Sequence, residues 1–280
     1  MESLVSTEWL AAELGAADLR IVDATAFLPG SGRNAGPEFE AAHIPGAVFM
    51  DLEAIVAADT PLPHMLPPER EFAMAMEALG IGEGDRIVAY DNSPLHSAAR
   101  AWWMLRIFGA GEVAILDGGL GKWKAEGRPV ESATSAVKPA QFTPRFERDA
   151  VADKTFVGAV AGTGGWDIVD ARPTSRFRGE GAEPRPGVRP GHIPGSKNLP
   201  QSELFQEDGT WKRRDALSAA FAAAGIDLSR PMVTTCGSGV TAAVLLFGAH
   251  LLGKEDVRLY DGSWSEWGAD PETPKATGAA

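Results

Sequence analysis

Short apolar runs alternate with stretches of helical periodicity along most of the chain. Ile87, Val88, Ala89 and Tyr90 form one such run; the spacing after it predicts a helix over about 97–108, then a strand over 113–116. Later, Met232, Val233, Thr234 and Thr235 lead into a predicted helix over about 239–252 and a strand over 257–260. Strands that are apolar throughout are buried on both faces. The pattern therefore predicts an α/β fold, each domain a mainly parallel sheet with helices on both faces. In such sheets ligands gather at the carboxyl ends of strands, beside helix N-termini.

The pattern also repeats. Ile21-Val22-Asp23-Ala24-Thr25 returns as Ile168-Val169-Asp170-Ala171-Arg172, and His43-Ile44-Pro45-Gly46 as His192-Ile193-Pro194-Gly195. Leu116-Asp117-Gly118, with Trp123 following, returns as Tyr260-Asp261-Gly262 with Trp267. The offsets are 147, 149 and 144 residues, in one order, as a duplicated domain requires. We expect tandem domains at 1–127 and 150–270, joined by a Pro-, Ser- and Thr-rich linker at 128–149. Residues 271–280 have little to bury and are expected to fray.

Composition narrows the function classes. The 280 residues carry a net charge of -12, which argues against a nucleic-acid surface, because phosphate binding needs a basic face. The longest apolar run, 240–252, is too short to span a bilayer, and the first residues lack a basic flank followed by an apolar stretch. One cysteine excludes an internal disulfide and any multi-cysteine metal site; no metal or cofactor is implied. A reducing, cytoplasmic setting is expected.

That cysteine, Cys236, directly follows a predicted strand and opens the loop Cys236-Gly237-Ser238-Gly239-Val240-Thr241. Two glycines let the backbone curl so that successive N–H groups face inward, and the following helix adds the positive end of its dipole. A lone cysteine is more often a small buried hydrophobe; the glycine spacing and the placement favour a nucleophile. Lowering a thiol pKa from about 8.5 to about 6.5 raises its thiolate from roughly 3% to roughly 75% at pH 7, but intrinsic nucleophilicity falls with pKa. The net gain is only about threefold. Holding a bound anionic sulfur is therefore the stronger use of the cradle. The first copy has Asp91 at the matching place and no loop glycine, so that half is expected to be inactive.

The duplication, the Cys-Gly-Ser-Gly-Val-Thr loop and the paired Asp-Gly…Trp endings resemble the rhodanese family, over about 5–268. The loop is similar to that of the 3-mercaptopyruvate sulfurtransferases. The resemblance implies that Cys236 takes sulfur from 3-mercaptopyruvate, releases pyruvate and passes the sulfur to cyanide or a thiol, either thioredoxin or a low-molecular-weight one. Relatives that use thiosulfate carry basic residues after the cysteine, where Gly237 and Ser238 are neutral. The family's two substrate arginines fall on Arg176 and Arg185; a guanidinium fork suits a carboxylate. Most arginines are merely solvated or paired with nearby acids, and Arg172, Arg178 and Arg189 lie in the same stretch. By the same resemblance His64 orients substrate or moves a proton, a reading level with that of a capped surface histidine. Glu53 falls where relatives have an acid that assists Ser238. His43 and His192 occur in both halves and are assigned to turn structure; Trp123, Trp264 and Trp267 are assigned to the core.

Three alternatives remain. One is thiosulfate as donor on the same machinery. Another is phosphatase chemistry, which needs an arginine six residues after the cysteine, where Ala242 stands. The last is a non-catalytic binding module, as Asp91 suggests for the first half.

Overall fold

The computed structural model describes residues 1–132 and 137–279. Two compact units share one plan. The first comprises 1–58, 66–147 and 206–211, and the second 59–65, 148–205 and 212–280. Neither is a simple cut of the chain, since 59–65 and 206–211 each pack with the opposite copy's body.

In the first unit, strands β1 (Leu4–Val5), β2 (Leu19–Asp23), β3 (Ala47–Phe49), β4 (Arg86–Tyr90) and β5 (Glu112–Leu116) form a parallel sheet in the order β1-β5-β4-β2-β3. Its helices are α1 (Thr7–Glu13), α2 (Ala35–Ala41), α3 (Glu69–Ala78), α4 (Ala98–Ile107) and α5 (Gly119–Ala125). The second unit repeats this with β6 (Val151–Ala152), β7 (Asp167–Asp170), β8 (Lys197–Asn198), β9 (Met232–Thr235) and β10 (Val257–Tyr260), in the corresponding order β6-β10-β9-β7-β8. Helices α6 (Lys154–Val160), α7 (Thr174–Phe177), α8 (Arg214–Ala223), α9 (Ala242–Leu251) and α10 (Ser263–Trp267) complete it.

Successive strand residues face opposite ways. Ile21, Val88, Ala114 and Leu116 cluster with Leu10 of α1, Phe39 of α2 and Trp123 of α5. Val22, Ile87, Ala89 and Val113 are as deeply buried and point to the other face, where α4 lies on β4 and β5. The tryptophans assigned to the core are there: Trp123, Trp264 and Trp267 are buried, and their Nε1–H groups reach the carbonyls of Pro129, Arg189 and Pro274. His43 and His192 stack on Phe39 and Phe177 and bond the carbonyls of those same residues through Nδ1, as structural residues do.

Two segments are better ordered than their composition suggests. Across 128–149, His43 and Glu131 exchange backbone hydrogen bonds at 2.9 Å and Phe142 is buried; 133–136 lie outside the described residues. The tail, expected to fray, makes backbone contacts with the body of its unit. His192 and Ala276 pair as an antiparallel bridge, and Gly278 N–H donates to Arg178 O. Backbone pairing and the Trp267 contact hold a segment that has little apolar surface of its own; Ala280 is outside the described residues. Among the described residues no helix is long and apolar enough to cross a membrane.

Candidate active site

β9 is buried at every position and ends at Thr235, so Cys236 leaves the sheet at the carboxyl end of its central strand. The thiol residue is 2% exposed. The first turn of α10 then fixes the loop: Trp264 N–H donates to Cys236 O at 3.0 Å and Ser265 N–H to Gly237 O at 2.9 Å, with Ser265 Oγ on the same carbonyl. In a trans peptide the carbonyl and the next N–H point in opposite directions. Tying these two carbonyls to α10 therefore turns the N–H groups of Gly237 and Ser238 away from it. Gly239 continues the curl with a φ of 82°, the left-handed region that glycine enters without steric cost. Cys236 N–H itself donates to Ser263 Oγ at 3.3 Å. Val240 is buried, and Thr241 occupies the cap position of α9 without a side-chain cap bond.

Two sequence-predicted residues meet this loop. Ser238 Oγ lies 2.8 Å from His64 Nδ1, both residues being buried. His64 has a φ of 59°, backbone strain for a non-glycine residue that its surroundings must hold. Arg176, in the last turn of α7, lies against Gly237: a Cβ there would stand 3.3 Å from Arg176 Nη2. Glycine at 237 admits the guanidinium. Arg176 Nε is buried and has no hydrogen-bond partner. Arg185 is half-buried on the loop after α7, and Glu53 lies in the first unit with its N–H on Asp51 Oδ1.

Sequence reasoning passed over the residues behind Arg176. Arg172, grouped there with arginines that are solvated or paired with nearby acids, is of the paired kind and 1% exposed. It grips Asp170 through Nε and Nη2, at 2.6 Å for the latter, and reaches Glu183 Oε1 through Nη1 at 3.0 Å and Gly191 O through Nη2 at 2.7 Å. Its guanidinium stacks 4.6 Å from the Trp264 ring. Burial alone disfavours its charge; Asp170, then Glu183 and the Cys236 sulfur, outweigh that and hold Arg172 above its ordinary value. Glu183, 4% exposed, bonds Arg176 Nη2 at 2.6 Å with its other oxygen. The available signal was a contrast between the copies: Arg172 and Arg176 stand where the first has Thr25 and Pro29.

The first unit closes the same strand end differently. Asp91 Oδ1 accepts Ser93 N–H at 3.0 Å and Oδ2 accepts Ala98 N–H at 2.8 Å, so a fixed carboxylate fills its own cradle. Desolvation pushes Asp91 up to about 7 against the pull of those amides. Burial also pushes His96 down to about 4, and nearby Arg33 is paired with Glu38. Among the described residues no group of three or more His, Cys, Asp or Glu could hold a metal ion.

Comparison with known proteins agrees with this duplication. The model of the Rhodanese-like domain matches residues 6–126 and again 157–270. The chain is 44% identical over 271 residues to the 3-mercaptopyruvate sulfurtransferase of Escherichia coli, covering 96% of each. It is 41% identical over 294 residues to thiosulfate/3-mercaptopyruvate sulfurtransferase 1 of Arabidopsis thaliana, covering 98% of this chain and 78% of that one. Among solved structures, SseA from Escherichia coli superposes with a TM-score of 0.87 at 41% identity, over 95% of this chain and all of that one. With two matched copies, two sheets of one strand order and relatives aligned along almost its whole length, the chain belongs to the rhodanese-like family.

Proposed function

We propose that this protein is a sulfurtransferase that takes its sulfur from 3-mercaptopyruvate. The Cys236 thiolate attacks the donor's sulfur, and the carbon–sulfur bond breaks. Its electron pair goes to the methylene carbon, which takes up a proton and leaves as pyruvate. The outer sulfur stays on Cys236 as a persulfide. An acceptor thiolate or cyanide then attacks that sulfur and frees the Cys236 thiolate. The N–H groups of Gly237, Ser238 and Gly239, with Val240 and Thr241 behind them, form the cradle for the sulfur charge. Arg176 and Arg185 hold the carboxylate, and Ser238 with His64 supplies the proton path.

The observation that carries this reading is the pairing of a neutral loop with a guanidinium: Arg176 lies against Gly237, and no cationic side chain stands at positions 237–241. One fork suits one carboxylate. The relative named for both donors favours thiosulfate as the second substrate. The acceptor is a thioredoxin-type dithiol or a low-molecular-weight thiol, and a reducing, cytoplasmic compartment keeps the single thiol free.

The test is turnover of the purified protein with each donor, combined with mass spectrometry of the donor-treated chain. We expect the larger kcat/KM with 3-mercaptopyruvate and one added sulfur on Cys236. Cys236→Ser should abolish both transfer and sulfur uptake. A larger kcat/KM with thiosulfate overturns the donor assignment, and turnover by Cys236→Ser near that of the unmodified protein overturns the mechanism.

A further inference from the structure

The geometry points to Glu183 as a residue that determines donor specificity by cancelling the charge of Arg176, so that the site favours a monoanionic over a dianionic sulfur donor. The inference rests on the reading of Arg176 as the ligand of the donor carboxylate. Four charged side chains form one cluster: Asp170 and Arg172, each 1% exposed, Glu183 at 4% and Arg176 at 18%. Asp170 accepts from Arg172 alone among the arginines, while Glu183 divides its oxygens, Oε1 to Arg172 at 3.0 Å and Oε2 to Arg176 at 2.6 Å. Two guanidinium groups and two carboxylates leave no net charge.

The consequence is specific to this arrangement. An uncompensated arginine rewards every negative charge on the donor, and thiosulfate carries two where 3-mercaptopyruvate carries one. A neutral cluster still offers directed N–H groups but gives little extra to the second charge. Arg176 Nε, buried and without a partner, is a directed donor that the ion pair leaves unused. The anchorage of Glu183 is firm. Its loop is closed at the neck, where a Cβ on Gly179 would stand 3.2 Å from Gly191 N, and Gly191 O is held by Arg172. Removing the carboxylate should therefore change the charge more than the shape.

The test is the ratio of kcat/KM for thiosulfate to that for 3-mercaptopyruvate in Glu183→Gln. One unit charge within roughly 6 Å of the donor, at an effective dielectric of about 20, supports a rise in the ratio of about tenfold or more. Glu183→Asp retains the charge with a shorter reach; it should lower both values together and leave the ratio near that of the unmodified protein. A purely structural residue would give that result with both variants, so an unchanged ratio in folded Glu183→Gln overturns the inference. A second readout uses the same variant. The excess salt dependence of oxalate over pyruvate inhibition should be greater in Glu183→Gln than in the unmodified protein, and an unchanged excess overturns the inference as well. Donor preference of the unmodified protein tests the parent reading; only the change on substitution tests this one.

Discussion

Replacing Arg172 by threonine, the residue the first unit carries at the matching position, should unfold the second unit at markedly lower denaturant. The substitution removes the guanidinium bonds to both Asp170 oxygens, to Glu183 and to Gly191 O, and the stacking on Trp264. Glu183 keeps Arg176 as a partner, so the main orphan is Asp170, which is 1% exposed and retains only the backbone N–H of position 172. Removing one member of a buried ion pair costs about 3–5 kcal/mol, and the threonine hydroxyl restores a part of it. The first unit shows that part: burial pushes Asp23 above the usual carboxylate range although Thr25 bonds to it. We expect a loss of about 3–4 kcal/mol. At a slope of about 2 kcal/mol per molar urea, this lowers the midpoint by roughly 1.5–2 M. The pH dependence gives a second check. An unpaired buried carboxylate binds its proton more tightly in the folded than in the unfolded chain, so stability falls as pH rises through the carboxylate range. The deficit should be greatest near pH 8 and shrink toward pH 5. A midpoint shift below about 0.5 M, or a deficit that ignores pH, would refute the view that Arg172 is a structural counter-ion.

Two further outcomes are expected. Arg176→Lys keeps the charge but replaces a planar fork with a point charge, so KM for 3-mercaptopyruvate should rise about tenfold with kcat little changed; an unchanged KM removes Arg176 from the donor site. Asp91 is pushed up to about 7 by burial, so the folded chain holds a proton that the unfolded chain gives up near its ordinary value of 3.8. Stability from this group is lost as pH rises between those values. Asp91→Asn should therefore lose less stability than the unmodified protein between pH 5 and pH 8 in urea unfolding, and parallel profiles would show that Asp91 ionises without penalty.

The repeat and the strand-to-helix placement of Cys236 were legible because both rest on local pattern: buried strands read as apolar runs, and a glycine-rich loop after a strand has few uses. Helix ends were less legible. α9 begins at Ala242 rather than near 239, since Gly239 takes a positive φ that no helix accepts. The tail at 271–279 looked too polar to be held, yet its order comes from backbone pairing with His192, which composition does not register. For Arg172 the sequence allowed a pairing with nearby acids but not its burial behind Arg176. Its role depends on Asp170 two residues before it, Glu183 eleven after and the Trp264 ring far along the chain, a set that only folding assembles. The loop residues could be named from local pattern; Arg176, Arg185 and His64 were named from the family resemblance, and Arg172 and Glu183 behind Arg176 from neither.

The two units also separate what an amide cradle can do from what it cannot. Both place a loop at the end of the same central strand, and in the first a tethered carboxylate sits on two amides. Even so, desolvation outweighs those bonds and pushes Asp91 up to about 7. Two inward N–H groups therefore do not offset the desolvation of Asp91. The loop of the second unit, proposed above to carry a charged sulfur, has two guanidinium groups beside it that the first unit lacks: Arg176 against Gly237 and Arg172 behind it. Unpaired, a buried guanidinium such as that of Arg172 would itself be costly. Asp170 and Glu183 remove that cost in the resting protein. The two carboxylates thus divide the work: Asp170 anchors Arg172, and Glu183 pairs with Arg172 and Arg176 together.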